Sequence, residues 1–148
     1  MANRRIVLVW MTLALLMGGG LSTLSASAQS RGGSTGVVVP LYTYPTDSSW
    51  ASLIKIKQSY PSIPIIAIIN PNSGPGNSQD PNYVSGIRQL QGKGIIVLGY
   101  VHTSYGSRSV NAVESEIKNY KSWYGVNGIF YDEMSSLGSR LSYYQVLA

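Results

Sequence analysis

The chain has 148 residues, no cysteine, 44% hydrophobic and 11% charged residues, and a formal net charge of +5. That length holds one modest domain, and the lack of cysteine excludes both a disulfide framework and thiolate metal sites. The basic residues are too few and too scattered to make a nucleic-acid-binding surface.

Residues 1–28 read as an export segment. Arg4 and Arg5 form a basic start, Ile6 to Met17 an apolar run, Gly18 to Gly20 a break, and Ala26-Ser27-Ala28 fits the small-x-small rule of signal peptidase. The apolar run is shorter than the ~20 residues that a spanning helix prefers. Cleavage before Gln29 is therefore expected, giving a secreted or cell-surface protein with no stable membrane association, and an uncleaved anchor is the alternative. Cleavage also removes Arg4 and Arg5, leaving nine basic residues against six acidic ones. Residues 29–35 are polar and contain glycine, as a flexible leader does. The domain proper is expected over 36–148.

Four apolar runs follow: Val37 to Tyr44, Ile63 to Asn70, Ile95 to Thr103 and Gly128 to Asp132. Each is nearly continuous in Val, Ile, Leu and aromatics, which is how strands covered on both faces read, and this favours a parallel sheet. Helical spacing fills the intervals. Trp50, Leu53 and Ile54, then Val84, Ile87 and Leu90, then Val113, Ile117, Tyr120 and Tyr124 fall three and four apart. Asp80-Pro81 places an acceptor at the N-cap and proline at the first helical position, and Asn111 with Glu114 has the spacing of a capping box. Gly92, Gly94, Gly125 and Gly128 sit where helices stop and strands begin. Ser139 to Ala148 begins a fourth helix, with Leu141 and Tyr144 on one face. The fold class is thus α/β, four βα units that make a small open sheet or half of an eight-stranded barrel. Half a barrel leaves strand edges unpaired. A partial barrel is the expectation.

In parallel α/β folds the binding face lies at the carboxyl ends of the strands. Here those ends are polar. The first run finishes in Tyr42 and Tyr44, the second in Asn70 with the loop residues Asn72 and Ser73, the third in Tyr100, His102, Thr103 and Tyr105, and the fourth in Asp132 and Glu133. Simpler roles suffice for other polar groups. Asp80 caps a helix ahead of Pro81, Asp47 has the position of another cap, and Glu114 and Glu116 lie on a solvated helix face. The lone His102, with neither cysteine nor a second histidine, reads as a rim residue, and no metal site is expected. The loop NPNSGPG lacks the Gly-x-x-x-x-Gly-Lys-Ser/Thr pattern of a phosphate cradle. Its prolines and glycines fix a rigid turn, while Asn70, Asn72 and Ser73 are suited to hydrogen-bonding sugar hydroxyls. Asp132 and Glu133 directly follow Gly-Ile-Phe-Tyr at a strand end. On an extended chain they point to opposite faces, so one of the two is expected to meet substrate. The eleven tyrosines, with Trp50 and Trp123, suit sugar rings packed on aromatic faces.

The stretches VPLYTYP, IINPNSGPG, LGYVHTSYG and GIFYDE, in this order and at these spacings, resemble the spherulin-4-like family, spherulation-specific family 4. The resemblance implies a (β/α)8 barrel of the TIM type, of which this chain holds the first four units. It implies secreted glycoside hydrolysis of cell-surface or extracellular polysaccharide, including galactosamine-containing material. It places Asp132 and Glu133 in the active site and Tyr42, Asn70, Tyr100 and His102 along the cleft. Family members carry a further glutamate on a later strand, in a region this chain does not include. No cofactor is implied, and polysaccharide is the expected partner. The alternative is a non-catalytic carbohydrate-binding or cell-surface structural protein.

Overall fold

The computed structural model describes residues 35–148. The expected export segment 1–28 and positions 29–34 of the leader lie outside the described residues. Four strands, β1 (Val37–Leu41), β2 (Ile65–Ile69), β3 (Ile96–His102) and β4 (Gly128–Asp132), pair in parallel in the order β1-β2-β3-β4. Parallel neighbours cannot be joined by a tight turn, so each needs a crossover. Helices α1 (Ser48–Ser59), α2 (Pro81–Gln91) and α3 (Val110–Asn119) supply the three crossovers, and α4 (Leu141–Leu147) follows β4. Among the described residues this is an α/β fold of four βα units, a partial barrel.

Alternation along the strands gives the sheet two unlike faces. Val39 and Leu41, Ile65, Ala67 and Ile69, Val97 and Val101, and Ile129 and Tyr131 turn to one side, where they pack with Trp50, Leu53, Tyr83, Ile87, Leu90, Val113 and Tyr120 from the helices. That layer is the core. The other face carries Val38 and Tyr42, Asn70, Ile96, Tyr100 and His102, and Phe130 and Asp132. Ile68 at its centre is 2% exposed, whereas Val38, Tyr42 and Ile96 at its borders remain 56%, 47% and 43% exposed.

Close packing on the core side depends on one missing side chain. Gly99 of β3 lies under the ring of Tyr120, and a Cβ at 99 would stand 2.6 Å from that ring. Tyr120 is fully buried as a result. It opens a wide turn after α3, in which the Gly125 N–H bonds back to the carbonyls of Tyr120 and Lys121 and Gly125 takes a left-handed φ of 61°.

The caps follow the sequence with one exception. Asp47 accepts from Ser49 N, and Asp80 accepts from Asn82 N and Tyr83 N with Pro81 at the first helical position. For α3 the cap is Ser109, which accepts from Ala112 N, and not the expected Asn111. Asn111 lies inside the helix, because the hydroxyl two residues earlier already satisfies the first-turn donor. The expected strands also ran past their observed ends. Tyr42 to Tyr44, Asn70 and Thr103 leave the ladder and form the rim.

Candidate active site at the carboxyl end of the sheet

β3 and β4 bring the acidic strand end into register with the third rim segment. Tyr100 pairs with Phe130, Val101 with Tyr131, and His102 with Asp132. Paired residues on neighbouring strands point to the same face, so Tyr100, His102, Phe130 and Asp132 share the open face. Tyr100 reaches diagonally and donates its hydroxyl to Asp132 Oδ2 at 2.7 Å. Its ring packs against Tyr42 edge-on at 5.7 Å and against Phe130 at 6.4 Å. An aromatic strip therefore crosses the sheet from β1 to β4, with one carboxylate at its upper border.

The electrostatics follow from that placement. Burial, then the hydrogen bond to Asp132 and the nearby negative charge, push the Tyr100 phenol up to about 12. Burial and the Asp132 charge also push Tyr42 above its ordinary value. Both phenols stay protonated donors at neutral pH. Asp132 accepts at both oxygens, from Tyr100 at Oδ2 and from the Glu133 N–H at Oδ1, 2.8 Å away.

Glu133 departs from the expected geometry. Its φ is +52°, a left-handed conformation, so strand alternation ends at Asp132 and the opposite-faces argument does not apply to the pair. The Glu133 charge adds a small part to the raised pKa of Tyr100, set chiefly by burial, and of Arg108, set chiefly by its hydrogen bond to Glu116. Its backbone is pinned, since the carbonyl accepts from Tyr105 N at 2.7 Å and from Thr103 Oγ1 at 2.8 Å. Thr103 is fully buried and its hydroxyl also meets Asp132 O and Tyr144 OH. This buried hydroxyl, at the rim end of the third run, locks the end of β3 to the acidic pair. The non-glycine residues with positive φ among those described, Ser73, Ser104, Tyr105 and Glu133, all lie in the loops after β2, β3 and β4. Strained backbone of this kind persists where surrounding structure over-determines it and clusters at functional sites.

The remaining candidates are placed differently. Asn70 Oδ1 accepts from Gly74 N at 3.0 Å, so its amide folds the NPNSGPG loop onto itself. Asn72 and Ser73 are exposed on that loop, and Tyr105 is exposed on the next one. The Tyr44 hydroxyl donates to Asp80 Oδ2 at 2.9 Å and accepts from Asn82 Nδ2 at 2.8 Å, which binds it to the start of α2 and away from Asp132. Glu116, expected to be solvated, forms a partly buried ion pair with Arg108 and closes against Gly74. Nothing in the spacing of 108 and 116 signals that pair, because the two lie on opposite sides of a helix start. Glu114 matches its expectation, with an exposed i,i+4 contact to Lys118.

A cavity of about 540 Å³ opens between α1 and α2 and is lined by Thr46, Asp47, Ile54, Asn82 and Gln89. It carries no acid free of a capping role. The open sheet face holds the aromatic strip and the carboxylate, and chemistry outranks volume here. Among the described residues no group of three or more His, Asp or Glu is placed to hold a metal ion, and no helix is long and apolar enough to cross a membrane.

The fold and this end of the sheet define an α/β protein of the partial-barrel class with an acid-and-tyrosine cluster at the carboxyl ends of its strands. Residues 36–148 match the model of spherulation-specific family 4, and the chain belongs to that family. Spherulin-4 of Physarum polycephalum is 46% identical over 110 residues, covering 73% of this chain and 32% of that protein. The crystal structure of Aspergillus clavatus Sph3 in complex with GalNAc superimposes with a TM-score of 0.73 at 33% identity, covering 78% of this chain and 51% of that one. The chain thus spans about a third of the first relative and half of the second.

Proposed function

We propose that the carboxyl end of the sheet binds and hydrolyses an extracellular or cell-surface polysaccharide containing N-acetylgalactosamine or galactosamine, and that the protein acts after export. The observation that carries this reading is Asp132, held by Tyr100 at the border of an open aromatic strip. It stands in a chain whose solved relative was crystallised with GalNAc. Sugar rings pack their apolar faces on aromatic side chains, and their hydroxyls need fixed polar partners. Tyr42, Tyr100 and Phe130 supply the first, and Asp132, His102 and the loop residues Asn72 and Ser73 supply the second.

Hydrolysis of a glycosidic bond uses two carboxyl groups, ~5 Å apart for retention and ~6.5 to 9.5 Å for inversion. Asp132, which accepts from Tyr100 and from the Glu133 N–H, is the member poised to stabilise positive charge at the anomeric carbon. Glu133, turned out of strand alternation, is the acid candidate among the described residues. Asp47 and Asp80 are committed to helix caps and are not partners. The test is Asp132→Asn in the whole chain, assayed by release of reducing ends from galactosamine-containing polysaccharide. Loss of release with retained circular dichroism is expected, and undiminished release would remove Asp132 from the reaction.

A second reading has one observation in its favour. The two candidate carboxylates are sequence neighbours at one strand end, with no acid opposite them across the described face. A carbohydrate-binding protein that retains the cleft without turnover would show saturable polysaccharide binding and no reducing ends on long incubation.

A further inference from the structure

A guanidinium stands behind the rim. Arg108, in the segment leaving β3, donates from Nη1 to the main-chain oxygen of His102 at 2.8 Å. It pairs through Nη1 and Nη2 with both carboxylate oxygens of Glu116 on α3. The two side chains are 19% and 22% exposed, so this is not a loose surface pair. Glu116 also closes on the loop after β2, where a Cβ at Gly74 would stand 3.1 Å from its Oε2. One ion pair thereby fixes the rim segments after β2 and β3 to the same helix.

The same Nη1, whose two N–H groups face the His102 carbonyl and Glu116, lies 3.4 Å from His102 Nδ1, so one N–H is shared with that nitrogen. A guanidinium offers five N–H donors and no acceptor, and it does not give up its proton in proteins. A favourable contact at Nδ1 therefore requires that nitrogen to present its lone pair, and in the neutral ring the proton then sits on Nε2. We propose that Arg108, anchored by Glu116, is a positioning residue that holds neutral His102 as the Nε2–H tautomer, so that the ring offers a hydrogen-bond donor beside the Asp132 carboxylate. His102 and Asp132 are register partners on the open face, and Nε2 has no protein partner among the described residues. A donor next to an acceptor matches two neighbouring hydroxyls of a sugar ring, one accepting from His102 and one donating to Asp132. The role of the tautomer in sugar recognition rests on the function proposed above. The tautomer itself does not.

The chain contains a single histidine, so nitrogen-15 labelling of histidine reports one ring without assignment. In the whole chain, at a pH above the ring's titration, the wild-type spectrum is expected to show Nδ1 unprotonated and Nε2 protonated. In Arg108→Met, folded by circular dichroism, both resonances are expected to shift toward the tautomer-averaged positions. Arg108→Lys is the second variant, because one ammonium cannot span Glu116 and Nδ1 together, and the same shift is expected. An Nδ1–H ring in the wild type overturns the proposal, as do unmoved resonances in either folded variant. Hydrolysis assays on the same proteins keep the two readings apart. Absent hydrolysis with the expected tautomer shift removes the enzyme and keeps the positioning role, whereas hydrolysis with unmoved resonances does the reverse.

Discussion

The Tyr100 hydroxyl and the Asp132 carboxylate meet diagonally across β3 and β4 at 2.7 Å, with the phenol donating. Because Tyr100 pairs laterally with Phe130, this contact skips one row of the ladder and needs the full length of a tyrosine. Phenylalanine at 100 keeps the packing against Tyr42 and Phe130 and deletes the donor. A hydrogen bond to a charged group contributes ~1.5–3 kcal/mol. Tyr100→Phe is therefore expected to lower turnover of, or affinity for, galactosamine-containing polysaccharide about tenfold to a hundredfold, with the fold intact by circular dichroism. Unchanged turnover and affinity would place Tyr100 outside the site.

Gly99 and Tyr120 make a second prediction, about stability. A methyl group at 99 would meet the Tyr120 ring at 2.6 Å, and Tyr120 has no exposed direction in which to retreat. Overpacking of a full core costs ~1–3 kcal/mol. Gly99→Ala is expected at the upper end of that range, seen as a lower urea midpoint at unchanged slope. Substitution of exposed Gly138, where an added Cβ meets nothing within 4 Å, is the control.

The strands, their parallel order and the two aspartate caps were legible because they rest on local chemistry: apolar runs, helical spacing, and acceptors placed before helices. So was the placing of Tyr42, Tyr100, His102 and Asp132 on one rim, since each stands at the end of an apolar run. What escaped depended on contacts distant in sequence. Thr103 looks like any loop threonine until β4 sets two carbonyls against its hydroxyl. Glu116 reads as a solvated helix residue until the β3 exit delivers Arg108 to it. The turn at Glu133 was hidden because adjacent acids on a strand imply opposite faces, and the bonds that accompany its positive φ come from Thr103 and Tyr105, distant in sequence.

Buried phenols give a pH prediction. Tyr83 and Tyr100 are pushed up to about 12, chiefly by burial, and Tyr120 is raised further in the same direction and for the same cause. A phenol whose folded pKa exceeds its unfolded value of ~10 contributes stability that is fully present below pH ~10 and lost as pH climbs toward 12. Stability to urea is therefore expected to be flat from neutral pH to about 9 on account of these groups and to fall steeply between about 10 and 12. Tyrosinate absorbance from Tyr83, Tyr100 and Tyr120 is expected to rise late, together with unfolding. A single unshifted titration of all tyrosines with the fold retained would contradict the burial of the set.

The open face and the sheet edges make the last prediction, about association. Val37, Val38, Ile56, Tyr60 and Ile63 are exposed around β1, and Met134, Leu137, Leu141 and Val146 around α4 and the segment joining it to β4. Among the described residues the outer edges of β1 and β4 have no partner strand. Val37 N bonds toward β2, so alternate residues Val38 and Pro40 face the free edge, and Pro40 withholds one donor from it. One missing donor blunts an edge without closing it. Exposed apolar side chains beside an unpaired edge favour contact between copies. The chain from Gln29 onward is expected to self-associate as its concentration rises, measured by light scattering. Val38→Lys, which sets a charge on the open face, is expected to raise the concentration of half-association at least tenfold, a change of ~1.4 kcal/mol. A monodisperse monomer across the accessible concentrations, with no difference between wild type and Val38→Lys, would mean that these exposed residues do not draw copies together.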